Sequence, residues 1–437
     1  MSHFFILVAA LWGFLQQDNP QSLAGMSEAD IAAIADATSI TPDNPSFRKI
    51  LYRTGTVDPV DLQQSAKGEQ DVSLAELAAN PATHRFLPYT LNAKVISIKR
   101  FDFDKESARD FLSGFFFADC EAQDGTPFVL ATRSSISSWP QATDLPEPQS
   151  IQFSGFFLGT QPLDFGNQFS ATAQPVFVAR RFAWQPDQES EVFKVDASLL
   201  ALSKAGVDLS LLDIVKSRKG KPLGTREGVC FWQMLAACKH PETTIPTPRI
   251  GFAEMLSDPV NSVGKATTIQ GRVRQCVPVK VTDRDVEQRL GSDTWYQLTM
   301  FPDLNGRPIQ VATREGEPVV YNHAFPVTVC MVDLPDGFVP ETIEGSSFVC
   351  SGFFYRIWSY PSQRTENTGL SGQPSPLMMG ASLQIIESDG DQLQMLLTAV
   401  LVAMGIAIAF VAWFVYRTHG GNPNAELPDK IEIGDSL

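Results

Sequence analysis

Apolar and polar positions follow three different patterns along this chain. Phe4 to Leu15 (FFILVAALWGFL) is an unbroken apolar run of 12 residues. Met395 to Tyr416 (MLLTAVLVAMGIAIAFVAWFVY) is a second run of 22, and no charge occurs between Asp391 and Arg417. At 1.5 Å of rise per residue, a 22-residue helix is about 33 Å long, enough for a hydrocarbon layer of roughly 30 Å. Trp413, Phe414 and Tyr416 gather at one end of it, as an interfacial aromatic belt does. The pattern predicts a transmembrane helix over residues 393–416. The first run is too short to span and reads as the hydrophobic stretch of a signal segment over residues 1–24, with Ser22-Leu23-Ala24 as a small-x-small cleavage site. Only the terminal amine and His3 supply positive charge before it. Glu387, Asp389 and Asp391 precede the long run, whereas Arg417 and Lys430 follow it. By the positive-inside rule, tail 417–437 is expected in the cytoplasm and the region before the span outside, in a bacterial inner membrane. The tail, rich in Gly, Pro and acids, is expected to be disordered.

Between the two runs the period switches from helical to alternating, and does so twice. Helical lead-ins are predicted at Ser27–Ala66 and Ala197–Lys239. Each is followed by a short amphipathic helix, LAELAAN before Pro81 or FAEMLSD before Pro259, with Ser73 and Glu76 forming a capping box. Period two then predicts strands at 91–103, 111–119, 127–133, 151–158 and 175–184. The second set is 267–281, 295–301, 308–314, 326–332, 347–358 and 377–386. Short strings recur in order: FRKIL and FWQML (from Phe47 and Phe231), DGTPFVLATR and NGRPIQVATR (from Asp124 and Asn305), FSGFFLG and CSGFFYR (from Phe153 and Cys350). Collinear repeats imply duplication. The expected fold class is mainly β with helical lead-ins (α+β): two tandem homologous small β-barrel modules of the OB or SH3-like kind, over 25–187 and 197–388, followed by one C-terminal transmembrane helix.

Charge narrows the functional classes. The 437 residues hold 34 Lys and Arg against 49 Asp and Glu, a net charge of −15. That balance disfavours a partner that must be held by phosphate neutralisation. The basic pair Arg180-Arg181 and the run Lys216, Arg218, Lys219, Lys221 are too few to reverse it. Phenylalanine is the surplus residue, 30 against 7 Tyr and 7 Trp. Ser-Gly-Phe-Phe occurs at 113–116, 154–157 and 351–354. Adjacent strand residues point to opposite faces, so both faces need cover. The rings are expected to pack inside a barrel on one side and under helices or another module on the other. Stacking on single-stranded nucleic acid is the competing reading.

Asp102, Asp104 and Glu106 align with Asp283, Asp285 and Glu287 at an offset of 181. D-x-D-x-E supplies oxygens that a Ca²⁺ ion could take, although the Gly and Glu that complete an EF-hand loop are missing. A solvated charged loop accounts for the same pattern. Six cysteines contain no C-x-x-C, so zinc and dithiol motifs are excluded. Buried free thiols are expected, with Cys276–Cys350 or Cys330–Cys350 as the pairs that could bridge. His84, His240 and His323 are expected at the surface. Nucleotide-binding, metalloprotease and serine-hydrolase signatures are all absent. The terminal GDSL string lacks a folded nucleophile elbow and matches a lipase motif by chance. Ala399, Ala403 and Ala407 form a small-residue stripe through which the helix could dimerise. The expected function is a non-enzymatic, membrane-anchored envelope binding or scaffold protein with a protein partner. Its rivals are an envelope polymer hydrolase using the duplicated carboxylates and an OB-like nucleic-acid binder.

Overall fold

The computed structural model describes residues 25–68, 72–103, 113–137, 139, 143–239, 245–311, 318–361, 372–386 and 389–419. The signal-type segment 1–24, Asp104, Glu106, His240 and the tail from residue 420 lie outside them. The chain is mixed α and β, mostly sheet, and it divides into one unit ending at Gln384 and another beginning at Ile385.

The first part of the large unit opens on helices. Helix α1 (Glu28–Ala35) starts with a capping box, in which Asp30 donates its N–H to the Ser27 hydroxyl and its carboxylate accepts the Ser27 N–H. Asn44 caps α2 (Pro45–Arg53), whose first residue is a proline, and α3 (Pro59–Ser65) follows. Then come β1 (Lys67–Gly68), α4 (Leu74–Ala79) capped by Ser73, and α5 (Pro81–His84). The strands are β2 (Pro88–Asp102), β3 (Gly114–Ala122), β4 (Pro127–Thr132), β5 (Thr143–Gly159), the small hairpin β6 (Leu163–Asp164) with β7 (Ser170–Ala171), β8 (Val176–Ala179) and β9 (Ala183–Trp184). They hydrogen-bond in the order β1-β2-β3-β4-β8-β5-β9, and a further pairing of β2 with β5 returns the sheet on itself. Only β4 and β8 run parallel within that closed set.

The second part repeats the plan. Helices α6 (Ala197–Lys204), α7 (Leu212–Lys216), α8 (Gly228–Lys239) and α9 (Phe252–Ser257) precede β10 (Ala266–Lys280). After α10 (Arg284–Leu290) come β11 (Thr294–Phe301), β12 (Ile309–Val311), β13 (Val319–Tyr321) and β14 (Val327–Met331). Helix α11 (Pro340–Ile343), β15 (Ser347–Tyr360) and β16 (Gln373–Ile385) complete it. Strands β10-β11-β14-β16-β15 close, again with one parallel pair, β14 and β16. The correspondence extends to single residues. Thr90 faces Ser154 and Thr268 faces Ser351. A register shift falls between Val95 and Ser97 of β2 and between Val273 and Gln275 of β10. The glycines of Ser-Gly-Phe-Phe sit where a neighbouring strand comes closest. A Cβ on Gly155 would lie 2.7 Å from the Val178 carbonyl oxygen, and one on Gly352 would lie 1.9 Å from that of Met379.

One repeat in the sequence is misleading. The string at Pro308–Arg314 resembles β4, yet β12 pairs only with β13, and β14 takes the place that β4 holds in the first sheet. The reason is an inserted hairpin with a small core of its own, Leu304, Tyr321 and Phe325 against Phe252 and Leu256. Asn305-Gly306, a pair that suggests a hairpin turn, does turn the chain with positive φ at both residues (49° and 76°), but it joins β11 to β12, which do not pair with each other.

Both faces of each sheet are covered. In the first part Leu91, Val95, Ile98, Phe128, Phe153, Phe157 and Phe177 belong to one cluster, while Phe115, Phe117, Val129, Phe156 and Val178 pack with Phe47, Ile50 and Leu51 of α2 in another. In the second, Ile269, Val273, Leu298, Cys350 and Phe354 form the inner cluster, and Trp295, Cys330, Phe353 and Met379 pack with Phe231, Met234 and Leu235 of α8. Phe47 meets Phe115 edge-on at 5.5 Å, and Phe231 meets Trp295 edge-on at 5.7 Å.

The turn leading into α8 is tied to β15 by a buried ion pair. Arg356 donates through Nε to Glu227 Oε2 (2.8 Å) and through Nη2 to Glu227 Oε1 (2.7 Å), and its remaining protons reach backbone carbonyls of Arg218, Lys221 and Pro222. Both side chains are at most 2% exposed. In the second unit, α12 (Asp389–His419) contains the apolar stretch Leu397–Thr418, long enough to cross a membrane, and every side chain along it is exposed. Arg356→Ala should cost about 2–3 kcal/mol, because it strips the buried Glu227 carboxylate of two charged hydrogen bonds and leaves Arg218 Nε, at 3.1 Å, as its remaining cation. The denaturation midpoint of the full chain in detergent measures that loss.

Candidate binding faces

Since the aromatic faces are closed by the chain's own helices, exposed chemistry is left to the outer side of the β2–β5 and β10–β15 pairs. Alternation puts Leu91, Ala93, Ile151 and Phe153 inward and their neighbours outward. The outward residues meet in cross-strand polar pairs: Thr90 with Ser154, Asn92 with Gln152, Lys94 with Ser150. The first pair shares a hydroxyl hydrogen bond of 2.7 Å, and Gln152 Nε2 donates to Asn92 Oδ1 at 3.1 Å. The second sheet has a row at the same register, polar except for Val349: Thr268 with Ser351, Gln270 with Val349, Arg272 with Ser347. Its first pair is likewise joined by hydroxyls, at 2.9 Å.

Each row borders a groove. A cavity of about 370 Å³ lies over Asn92, Lys94, Glu121, Ser150, Gln185 and Asp187. A second of about 360 Å³ is lined by Ile245, Arg249, Val349, Ser351, Ser382 and Gln384. Arg249 lies across the second row, its Nη1 donating to Thr268 Oγ1 (2.8 Å) and Ser351 Oγ (3.3 Å), its Nη2 to the Ile245 carbonyl (3.4 Å). Sequence reading missed it, because Ile-Pro-Thr-Pro-Arg-Ile has no periodicity and its neighbours are 19 and 102 residues away.

The aligned carboxylates occupy unlike positions. Asp102 ends β2 and accepts Arg100 Nε at 2.7 Å. The shared strand register gives it Lys280 as counterpart, not Asp283, since both strands end there after the same bulge. Asp283 caps α10 by accepting the Asp285 N–H at 3.0 Å, and Asp285 accepts Arg289 Nη2 at 3.2 Å. Glu287 lies within the same helix, exposed. Among the described residues no group of three His, Cys, Asp or Glu converges as metal ligands would.

All six cysteines are buried and free, so neither Cys276–Cys350 nor Cys330–Cys350 is bridged. Burial raises every one of them: Cys276 to about 11, with Glu344 adding to it, Cys350 to about 12, and Cys120, Cys230, Cys238 and Cys330 well above the usual thiol range. His84 departs from the surface position expected of it. It is buried with Nδ1 2.8 Å from the Tyr89 hydroxyl, whose own pKa burial pushes up to about 12. His323 is exposed, as expected.

No protein-family model matches this chain, and no curated protein matches it. Among solved structures, the protein priB from Ralstonia solanacearum overlaps it at 10% identity over 28% of this chain and 97% of that one, with a TM-score of 0.14. A deletion mutant of the single-stranded DNA binding protein from Thermus aquaticus overlaps at 7% identity over 70% of this chain and 97% of that one, with a TM-score of 0.16. Likenesses at these scores carry no argument about fold or function.

Two outcomes follow. At pH 8 and without reductant, iodoacetamide should label none of the six thiols in the folded chain and all six after denaturation, as mass spectrometry counts them. Asp283→Ala should lower stability by about 1 kcal/mol through the lost cap, seen as a small drop in melting temperature.

Proposed function

We propose that this chain is a membrane-anchored, non-enzymatic binding or scaffold protein of a bacterial envelope. Its export-side region consists of two OB-like barrel modules that arose by duplication, and α12 holds them to the inner membrane with the tail in the cytoplasm. The barrel reading rests on the pairing order, first-second-third-fifth-fourth and back to the first, with third and fifth strands parallel in both copies. Duplication is supported by the shared register and bulge, and by α4 and α9, which precede their first strands at the same distance. Two related surfaces on one body favour a repeated or dimeric protein partner.

The observation that carries the binding reading is the outward polar row on both copies, exposed at Lys94, Gln270 and Arg272 and each beside a groove, while the aromatic face is filled by helix. That same filling removes the stacking platform a single-stranded nucleic acid would need, and the net charge of −15 opposes it too.

A photo-reactive residue placed at Asn92 or at Gln270 should capture a partner in living cells, whereas one at exposed Val192 should not. Equal capture at all three positions, or none at any, would sink the reading. For orientation, alkaline phosphatase should be active when fused before α12 and inactive when fused beyond it; the reverse pattern would overturn the proposed topology.

A further inference from the structure

We infer that the groove beside β15 is a binding site for a small oxyanion, a carboxylate or a phosphate, with Arg249 as its anchor. The inference rests on the reading of the bare polar row as a binding face and names the chemistry that the second copy would recognise there. A guanidinium has five N–H donors. Three are directed to neutral acceptors, the hydroxyls of Thr268 and Ser351 and the carbonyl of Ile245. These bonds orient the group and leave its charge uncompensated, for no carboxylate pairs with it among the described residues. Two other cations of the second part are paired with carboxylates: Lys265 with Asp196 and Lys239 with Asp333. Arg249 is thus held by neutral acceptors alone in a chain with 15 excess negative charges. Its Nε proton and one Nη2 proton remain for an incoming acceptor, and a guanidinium binds planar or tetrahedral oxyanions through such paired donors.

The surroundings fit that ligand. The groove of about 360 Å³ has the size of a small-molecule site. Ser382 and Gln384, exposed on β16, add a hydroxyl and an amide, while Ile245, Val349 and Ala381 supply apolar wall. The backbone beneath Arg249 is pinned, because Ile250 bridges Thr267 and donates its N–H to the Ala266 carbonyl at 2.9 Å. The first copy lacks the anchor. Lys67 faces Tyr89 as Ile250 faces Thr267, so the place of Arg249 is held there by Ala66. The site belongs to the second copy alone.

The test is a melting-temperature titration of the full chain in detergent micelles at constant ionic strength, with inorganic phosphate in one series, acetate in a second and chloride as the reference. The expected result is a saturable rise in at least one of the first two series over chloride. Saturation with phosphate alone assigns a phosphate group, with acetate alone a carboxylate, and with both the shared chemistry. Arg249→Gln should shift the half-saturating concentration upward by about tenfold or more, the loss of a charged hydrogen bond. Ser382→Glu, which places a carboxylate in the groove without touching the bonds of Arg249, should do the same, and Arg272→Gln on the same face should not. No saturable rise in either series, or a rise that both groove variants leave unchanged, would overturn the inference. If cross-linking from Gln270 persists in that event, the binding face stands and only its oxyanion specificity fails.

Discussion

Adjacent phenylalanines on one strand cannot share a side, and this constraint shapes the whole large unit. Phe115 and Phe116, Phe156 and Phe157, Phe353 and Phe354 send large rings to both faces of their sheets. Closure of the sheet excludes water from one set. Only a second layer can cover the other, so each helical lead-in folds back over strands that lie far along the chain. The lead-ins are therefore half of each core, and Phe47 and Phe231 hold matching places in it.

The helices of the second lead-in have two duties. Their cluster runs without a break from Leu91 and Phe153 of the first sheet, through Trp139, Phe182 and Trp184, to Leu209, Phe231 and Phe353. The two parts thus share apolar contacts instead of hanging on a flexible linker. The burial of Asp208 and Glu227 in this zone is matched by arginines, Arg181 for Asp208 and both Arg356 and Arg218 for Glu227. With aromatic faces closed and the lead-ins engaged, the outer rows are the polar faces that the β2–β5 and β10–β15 pairs turn outward.

Much of this was legible from period and turn chemistry. The long strands, the Asp124-Gly125 and Asn305-Gly306 turns and the apolar C-terminal helix leave local signals, and so does the two-sided burial of Phe-Phe steps. What was hidden depends on register. An inserted hairpin imitated β4 because strand strings share composition, while only hydrogen-bond partners tell them apart. The same slip paired Asp102 with Asp283, when the bulge makes Lys280 its counterpart. Arg249 could not be seen either, since its meaning lies in what surrounds it. Arg356 left a fainter trace, as the one charge within an otherwise apolar strand core, Phe348 to Trp358.

The two parts share a backbone plan and differ in how they fill it. Where the first holds Leu77, Ile98, Phe153 and Phe177, the second holds Met255, Cys276, Cys350 and Met378, with Met300 and Met331 beside them. Interlocking phenyl rings accept few shapes, whereas thioethers and thiols are flexible and polarizable and adapt to their neighbours. The second interior is the more forgiving of the two. Substitutions that would jam the first can be absorbed there, and it is this half that carries the extra hairpin and Arg249. A soft interior leaves the surface of the second sheet freer to change than that of the first.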